Sequence, residues 1–176
     1  MQTSLSPFKR PRALVVDDSN TLQRLMDLTL RPLGVDLEFS ARGDEAIMLA
    51  LKNHYDVILL DVMLPGVDGY QVCKAIKRDP RAKHVPVIML TSKDSAFDKV
   101  KGIMAGTNVY LTKPIKRSML IAALDQNVPG LLTAGAWWIA RQAASHHRTE
   151  APAVPSKQSS SSNVQPKLST NQETYS

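Results

Sequence analysis

Cysteine is nearly missing from this chain: Cys73 is the single one in 176 residues. One thiol cannot build an intramolecular disulfide framework, and no zinc-type spacing surrounds it, which suits a reducing compartment. Long apolar runs are missing as well. Nothing reaches the roughly 18 apolar residues that a membrane-spanning helix needs. Residues 1–12 are polar and interrupted by Pro7 and Pro11, so no secretory signal is read there and a cytoplasmic protein is expected. Aromatics are scarce, at 5%. One-sided charge blocks are lacking too. Residues 1–127 carry 18 Lys and Arg against 14 Asp and Glu, and residues 128–176 carry 4 against 2. The resulting net charge of +6 is scattered, which fits a solvated surface better than a nucleic-acid patch.

What is present is alternation. Apolar strand patterns fall at 13–16, 35–39, 57–60, 85–90 and 109–111, the second alternating like an edge strand. Helical patterns fall between them at 21–33, 43–53, 70–78 and 95–105, and a last one at 118–126. Ser19 or Asn20 is the candidate cap of the first helix, and Gly34 its stop. Continuous apolar strands alternating with amphipathic helices predict a parallel sheet covered on both faces. The expected architecture is α/β: a flavodoxin-like, doubly wound (βα)5 sheet in strand order 2-1-3-4-5. The expected domain spans 12–127, after an N-terminal segment 1–11. Residues 128–148 read as a linker with a helix at 131–144. Residues 149–176, rich in Ser, Pro, Gln, Asn and Thr, read as a disordered polar tail.

Polar groups gather at the expected strand ends. Asp17 and Asp18 follow the first strand, Asp61 the third, Thr91 and Ser92 the fourth, Lys113 and Pro114 the fifth. In the predicted order, strands 1 and 3 meet at the topological switch point, where open α/β sheets place their chemistry. Three neighbouring carboxylates repel one another, which a divalent cation among them relieves.

With these residues in place the chain resembles the receiver domain of bacterial response regulators, over residues 12–126. The Asp17-Asp18 pair, Asp61 with its Pro65-Gly66-Val67-Asp68-Gly69 loop, Thr91 and Lys113-Pro114 occur in the family's order. The resemblance implies that Asp61 accepts a phosphoryl group from a histidine kinase or phosphotransfer protein, with Mg²⁺ as cofactor. It implies Asp18 and Asp61 as direct Mg²⁺ ligands, Asp17 mainly through water, and the Met63 backbone carbonyl as a further ligand. Lys113 then pairs with Asp61 and later with a phosphoryl oxygen, Thr91 hydrogen-bonds another, and the Lys113-Pro114 bond is cis. Thr91 and Tyr110 take the family's switch positions. The output face combines the helix at 95–105, the strand at 109–111 and the helix at 118–126. Met63 and Ser92 occupy positions where the family tunes dephosphorylation. No enzyme acting on an external substrate is implied, only self-catalysed phosphotransfer and dephosphorylation.

Segments 91–102, 105–107 and 110–114 look like regulators of type IV pilus twitching motility, which belong to chemosensory-like systems. The expected output is a contact with a downstream protein; a receiver of another phosphorelay, or a transcriptional regulator without a recognisable DNA-binding domain, is the alternative. DNA binding would need a compact basic module, whereas Arg141, Arg148, Lys157 and Lys167 are widely spaced. A phosphohydrolase of similar topology would place its nucleophile after the first strand. The helix at 131–144, apolar nearly all round with Trp137 and Trp138, suits partner docking or packing on the receiver, and less well a membrane surface.

Overall fold

The computed structural model describes residues 9–92, 105–107 and 109–146. Five strands, β1 (Arg12–Val16), β2 (Asp36–Ser40), β3 (Val57–Asp61), β4 (Val87–Thr91) and β5 (Val109–Thr112), form one parallel sheet in the order β2-β1-β3-β4-β5. The predicted order is borne out. The helices are α1 (Asn20–Leu30), α2 (Gly43–Lys52), α3 (Gly69–Arg78), α4 (Arg117–Asn127) and α5 (Leu131–His146). The helix expected at 95–105 lies outside the described residues except for Ala105, and the tail at 149–176 lies outside them entirely.

Alternation along each central strand builds two cores at once. Ala13, Val15, Val57, Leu59, Ile88 and Leu90 face one side, where Leu22, Met26 and Leu30 of α1 and Leu120 and Leu124 of α4 meet them. Leu14, Val16, Ile58, Leu60, Val87 and Met89 face the other, against Ala46 and Ala50 of α2 and Val72, Cys73 and Ile76 of α3. A strand buried on both faces must be apolar at every position, which is why β1, β3 and β4 read as unbroken apolar runs. Each fully buried Leu, Val or Ile contributes about 1.5–3 kcal/mol.

The helix expected at 21–33 ends earlier. Pro32 has no N–H and clashes with a continuing turn, so α1 stops at Leu30 and Arg31–Leu33 tightens into a 3-10 turn. Gly34, at φ 82°, reverses the chain into β2. The cap is Ser19, whose hydroxyl accepts from the Leu22 N–H at 3.4 Å.

Helix α5 divides into two sides. Leu131 is fully buried in the α1/α4 core, with Ala134 and Val128 beside it. Gly135 lies so close to the Leu33–Gly34 turn that a Cβ on it would collide with the Leu33 carbonyl oxygen. Arg10 closes the contact: its Nε donates to the Gly34 carbonyl at 3.2 Å, and its guanidinium stands 4.4 Å from the centroid of the Trp138 ring. Trp137 and Ile139 remain exposed on the outward side. Among the described residues no helix is long and apolar enough to cross a membrane.

Two outcomes test this packing. Leu131→Ala is expected to lower unfolding free energy by about 2–4 kcal/mol, as for other fully buried leucines; a loss under about 0.5 kcal/mol in urea titration would mean that α5 does not dock. Cys73 is buried, and its thiol is pushed up to about 11 by desolvation, against a smaller opposing effect of Lys77. Native protein at pH 8 is therefore expected to resist iodoacetamide until urea unfolds it. Rapid alkylation of the native form, read by mass, would contradict this burial.

Candidate functional site

The sheet delivers its polar residues to one edge. Asp17 continues directly from β1, and its N–H donates to the Ser40 carbonyl of β2 at 3.0 Å. Asp61 is the last residue of β3 and pairs in register with Leu90, one place before Thr91. Lys113 follows β5, its N–H donating to the Thr91 carbonyl at 2.7 Å. The Lys113-Pro114 bond is cis.

Local turns aim the side chains. Asp17 Oδ1 accepts from the Ser19 N–H at 2.8 Å, an Asx turn that starts α1. Asp61 Oδ1 accepts from the Met63 N–H at 3.1 Å, so the loop after β3 turns back on the acid. Asp68 caps α3, accepting from Tyr70 N–H at 2.9 Å. Gly69 N–H donates to the Val62 carbonyl, and a Cβ at Gly69 would collide with the Asp61 carbonyl oxygen. Only glycine lets the start of α3 approach the end of β3 this closely.

Asp17, Asp18 and Asp61 are brought together, with one carboxylate oxygen of each lying within 4.8 Å of the others. Asp17 is fully buried and Asp61 nearly so, while Asp18 is exposed. The Lys113 ammonium bridges the two buried acids, 2.7 Å from Asp17 Oδ2 and 2.9 Å from Asp61 Oδ2. Burial raises the Asp61 pKa, and the charge of Asp17 adds to this; the hydrogen bonds from Lys113 and Met63 oppose the rise without cancelling it. For Lys113 burial pulls downward, but the two carboxylates together outweigh it and hold the amine above its ordinary value. The same ion pair thus wins for the lysine, which has two acidic partners, and loses for Asp61, where burial is the larger effect. Three carboxylates against one ammonium leave a surplus of negative charge. Hard oxygen donors at this spacing fit one small divalent ion with minor side-chain shifts.

Thr91 is buried at the end of β4. Tyr110 is half-buried on β5 and packs against the α2/α3 core. The Met63 side chain is exposed, and its residue bridges to Asp68 across the loop. Sequence reasoning paired Lys113 with Asp61 and did not foresee its equal contact with Asp17. Nor did it find Gln23, whose side-chain amide donates to the Asp17 carbonyl at 2.7 Å, or Thr107, whose hydroxyl donates to the Val87 carbonyl at 2.6 Å. The one available signal for Gly69 was the Asp68-Gly69 pair ahead of a helix.

Fold and site together define a phosphoacceptor module of two-component signalling, and the chain belongs to the response regulator receiver domain family, which it matches over residues 13–125. Among individual proteins it is similar to Protein PilG of Pseudomonas aeruginosa, with 40% identity over 118 residues, 67% of this chain and 87% of that one. It is also 40% identical over 111 residues to the response regulator PleD of Caulobacter vibrioides, 63% of this chain but 24% of PleD. Its structure is similar to chemotaxis protein CheY4 of Vibrio cholerae (TM-score 0.65, 32% identity, covering 68% of this chain and 99% of that one). The receiver domain of sensor histidine kinase PA1611 from Pseudomonas aeruginosa, which holds a magnesium ion in its active site cleft, is comparable (TM-score 0.63, 33% identity, 68% and 98% covered).

The Asp61 shift makes a pH prediction. With its pKa raised, the folded state holds the Asp61 proton more tightly than the unfolded chain does. Ionisation therefore costs stability as pH climbs past the unfolded value of about 3.9. Asp61→Asn never ionises and leaves Lys113 its bond to Asp17. In chelated, metal-free buffer at pH 7 the variant is expected to melt higher than wild type, with the gap closing below about pH 4. Equal or lower melting at pH 7 would refute it.

Proposed function

We propose that Asp61 is the phosphoryl acceptor of a response regulator whose partners are proteins. The observation that carries this reading is the Lys113 ammonium bridging Asp17 and Asp61, with the Asp18 carboxylate within reach of both. An Asp61 oxygen attacks the phosphorus of a phosphohistidine, a P–O bond forms as the P–N bond breaks, and the imidazole leaves. Such transfer needs positioning and charge neutralisation rather than covalent assistance. Asp17, Asp18, Asp61 and the Met63 carbonyl would hold Mg²⁺, which supplies the charge neutralisation that lets an anionic phosphoryl group approach an anionic site. Lys113 turns one of its hydrogen bonds from Asp61 to a phosphoryl oxygen, and the Thr91 hydroxyl donates to another. The acquired charge gives Thr91 a contact that the unphosphorylated form lacks, and this difference biases Thr91 and Tyr110 toward a second arrangement. The donor is a histidine kinase or phosphotransfer protein. The reader is a protein that contacts the face made by 95–105, β5 and α4.

The likeness to PilG and to chemotaxis-type receivers supports a role in twitching or chemotaxis-like signalling. Residues 12–127 are the switching unit in this reading, with 128–148 as its extension.

Incubation with acetyl phosphate, with and without Mg²⁺, is expected to add one phosphoryl group to wild type only when Mg²⁺ is present and none to Asp61→Asn, read by intact mass. Modification of Asp61→Asn to the same extent would move the acceptor elsewhere.

A further inference from the structure

We infer that Gln23 is a positioning residue for the acidic pair, an inference that rests on the cation-dependent reading above. Its side-chain nitrogen donates to the Asp17 carbonyl at 2.7 Å. That oxygen is acceptor-only, so it must face the amide nitrogen rather than the amide oxygen. The carbonyl belongs to the Asp17–Asp18 peptide, so whatever holds it sets the plane from which the Asp18 side chain departs.

The other polar groups of Asp17 are held separately, and only the Asx turn to Ser19 bears on the same peptide, from its far side. The Asp17 N–H is tied to the Ser40 carbonyl, its Oδ1 to the Ser19 N–H, and its Oδ2 to Lys113. These bonds keep Asp17 inside. Asp18 is exposed and must instead aim at the point shared with Asp17 and Asp61. Gln23 sits on the first turns of α1, its own N–H donating to the Ser19 carbonyl at 3.0 Å, so the donor is carried by a capped, rigid turn. A small divalent ion that demands near-ideal octahedral geometry is sensitive to such aim. A site of this kind is as good as the shell that supports it.

The alternative is that Gln23 merely anchors the helix start. The two roles separate by readout, since an anchor changes melting temperature and a positioning residue changes cation affinity. Gln23→Met keeps length and helix preference but removes the donor. In the full-length chain, Mg²⁺ titration by calorimetry is expected to show about three- to tenfold weaker binding for Gln23→Met, the fold-change carried by one lost neutral hydrogen bond. In metal-free protein the Asp17 carbonyl carbon resonance is expected to shift, with melting lowered only as far as one lost hydrogen bond lowers it. Gln23→Ala, smaller and a stronger helix former, is expected to match Gln23→Met in cation affinity and guards against crowding by the methionine. Wild-type affinity within twofold in both variants would overturn the inference while leaving the cation site standing. No Mg²⁺ binding by wild type would overturn the cation reading itself, and the inference with it.

Discussion

Lys113 stands between Asp17 and Asp61, the sole cation in direct contact with both among the described residues. Two carboxylates this deeply buried are tolerable only with a partner, since an unpaired buried charge costs several kcal/mol. The contacts join positions 96 and 52 residues apart in the chain. The lysine follows β5 at one edge of the sheet, and its side chain reaches past β4 to acids carried by β3 and β1. The site therefore exists only when the sheet is complete. The remaining imbalance, three carboxylates against one ammonium, is what the proposed cation and phosphoryl chemistry rests on.

Helix α1 is fixed at both ends by contacts of different kinds. At its start, Ser19 and Gln23 tie it to Asp17. At its far end, the Leu33–Gly34 turn packs against Gly135, with Arg10 bonded to Gly34 and stacked on Trp138. Leu131 enters the same core as Leu30 and Leu124, so α5 also braces α4. The helix that begins at the acidic pair and the helix that follows Lys113 thus share one brace at the pole opposite the site. The family match ends at residue 125, so this brace belongs to the chain's own extension.

The likenesses carry different weights. The match over residues 13–125 and the similarity to PilG establish a receiver. They bear on the twitching role more lightly, because the shared core is what every receiver needs in order to fold and accept a phosphoryl group. Partner choice is written on surfaces, and surfaces tolerate change that a two-sided core does not.

Much of the architecture was legible because its cause is local and periodic. Strands β1, β3 and β4 are apolar at nearly every position since both their faces are covered, and that pattern survives in one dimension. The strand-end acids Asp17 and Asp61 and the threonine Thr91 were legible for a related reason: each stands at the end of such a run, whereas Lys113 follows the edge strand β5 and was placed by the family resemblance. Boundaries shifted where a local rule overrode the pattern, as Pro32 did at the end of α1. What the sequence by itself determined was a parallel α/β sheet with an acidic edge, because periodicity and strand ends are properties of neighbouring residues. What only the tertiary structure decided was which acid lies inside and which faces out, that Lys113 serves two acids, that Gln23 holds the peptide between the pair, and which side of α5 meets the core. Those depend on distances between residues far apart in the chain, which no local pattern encodes.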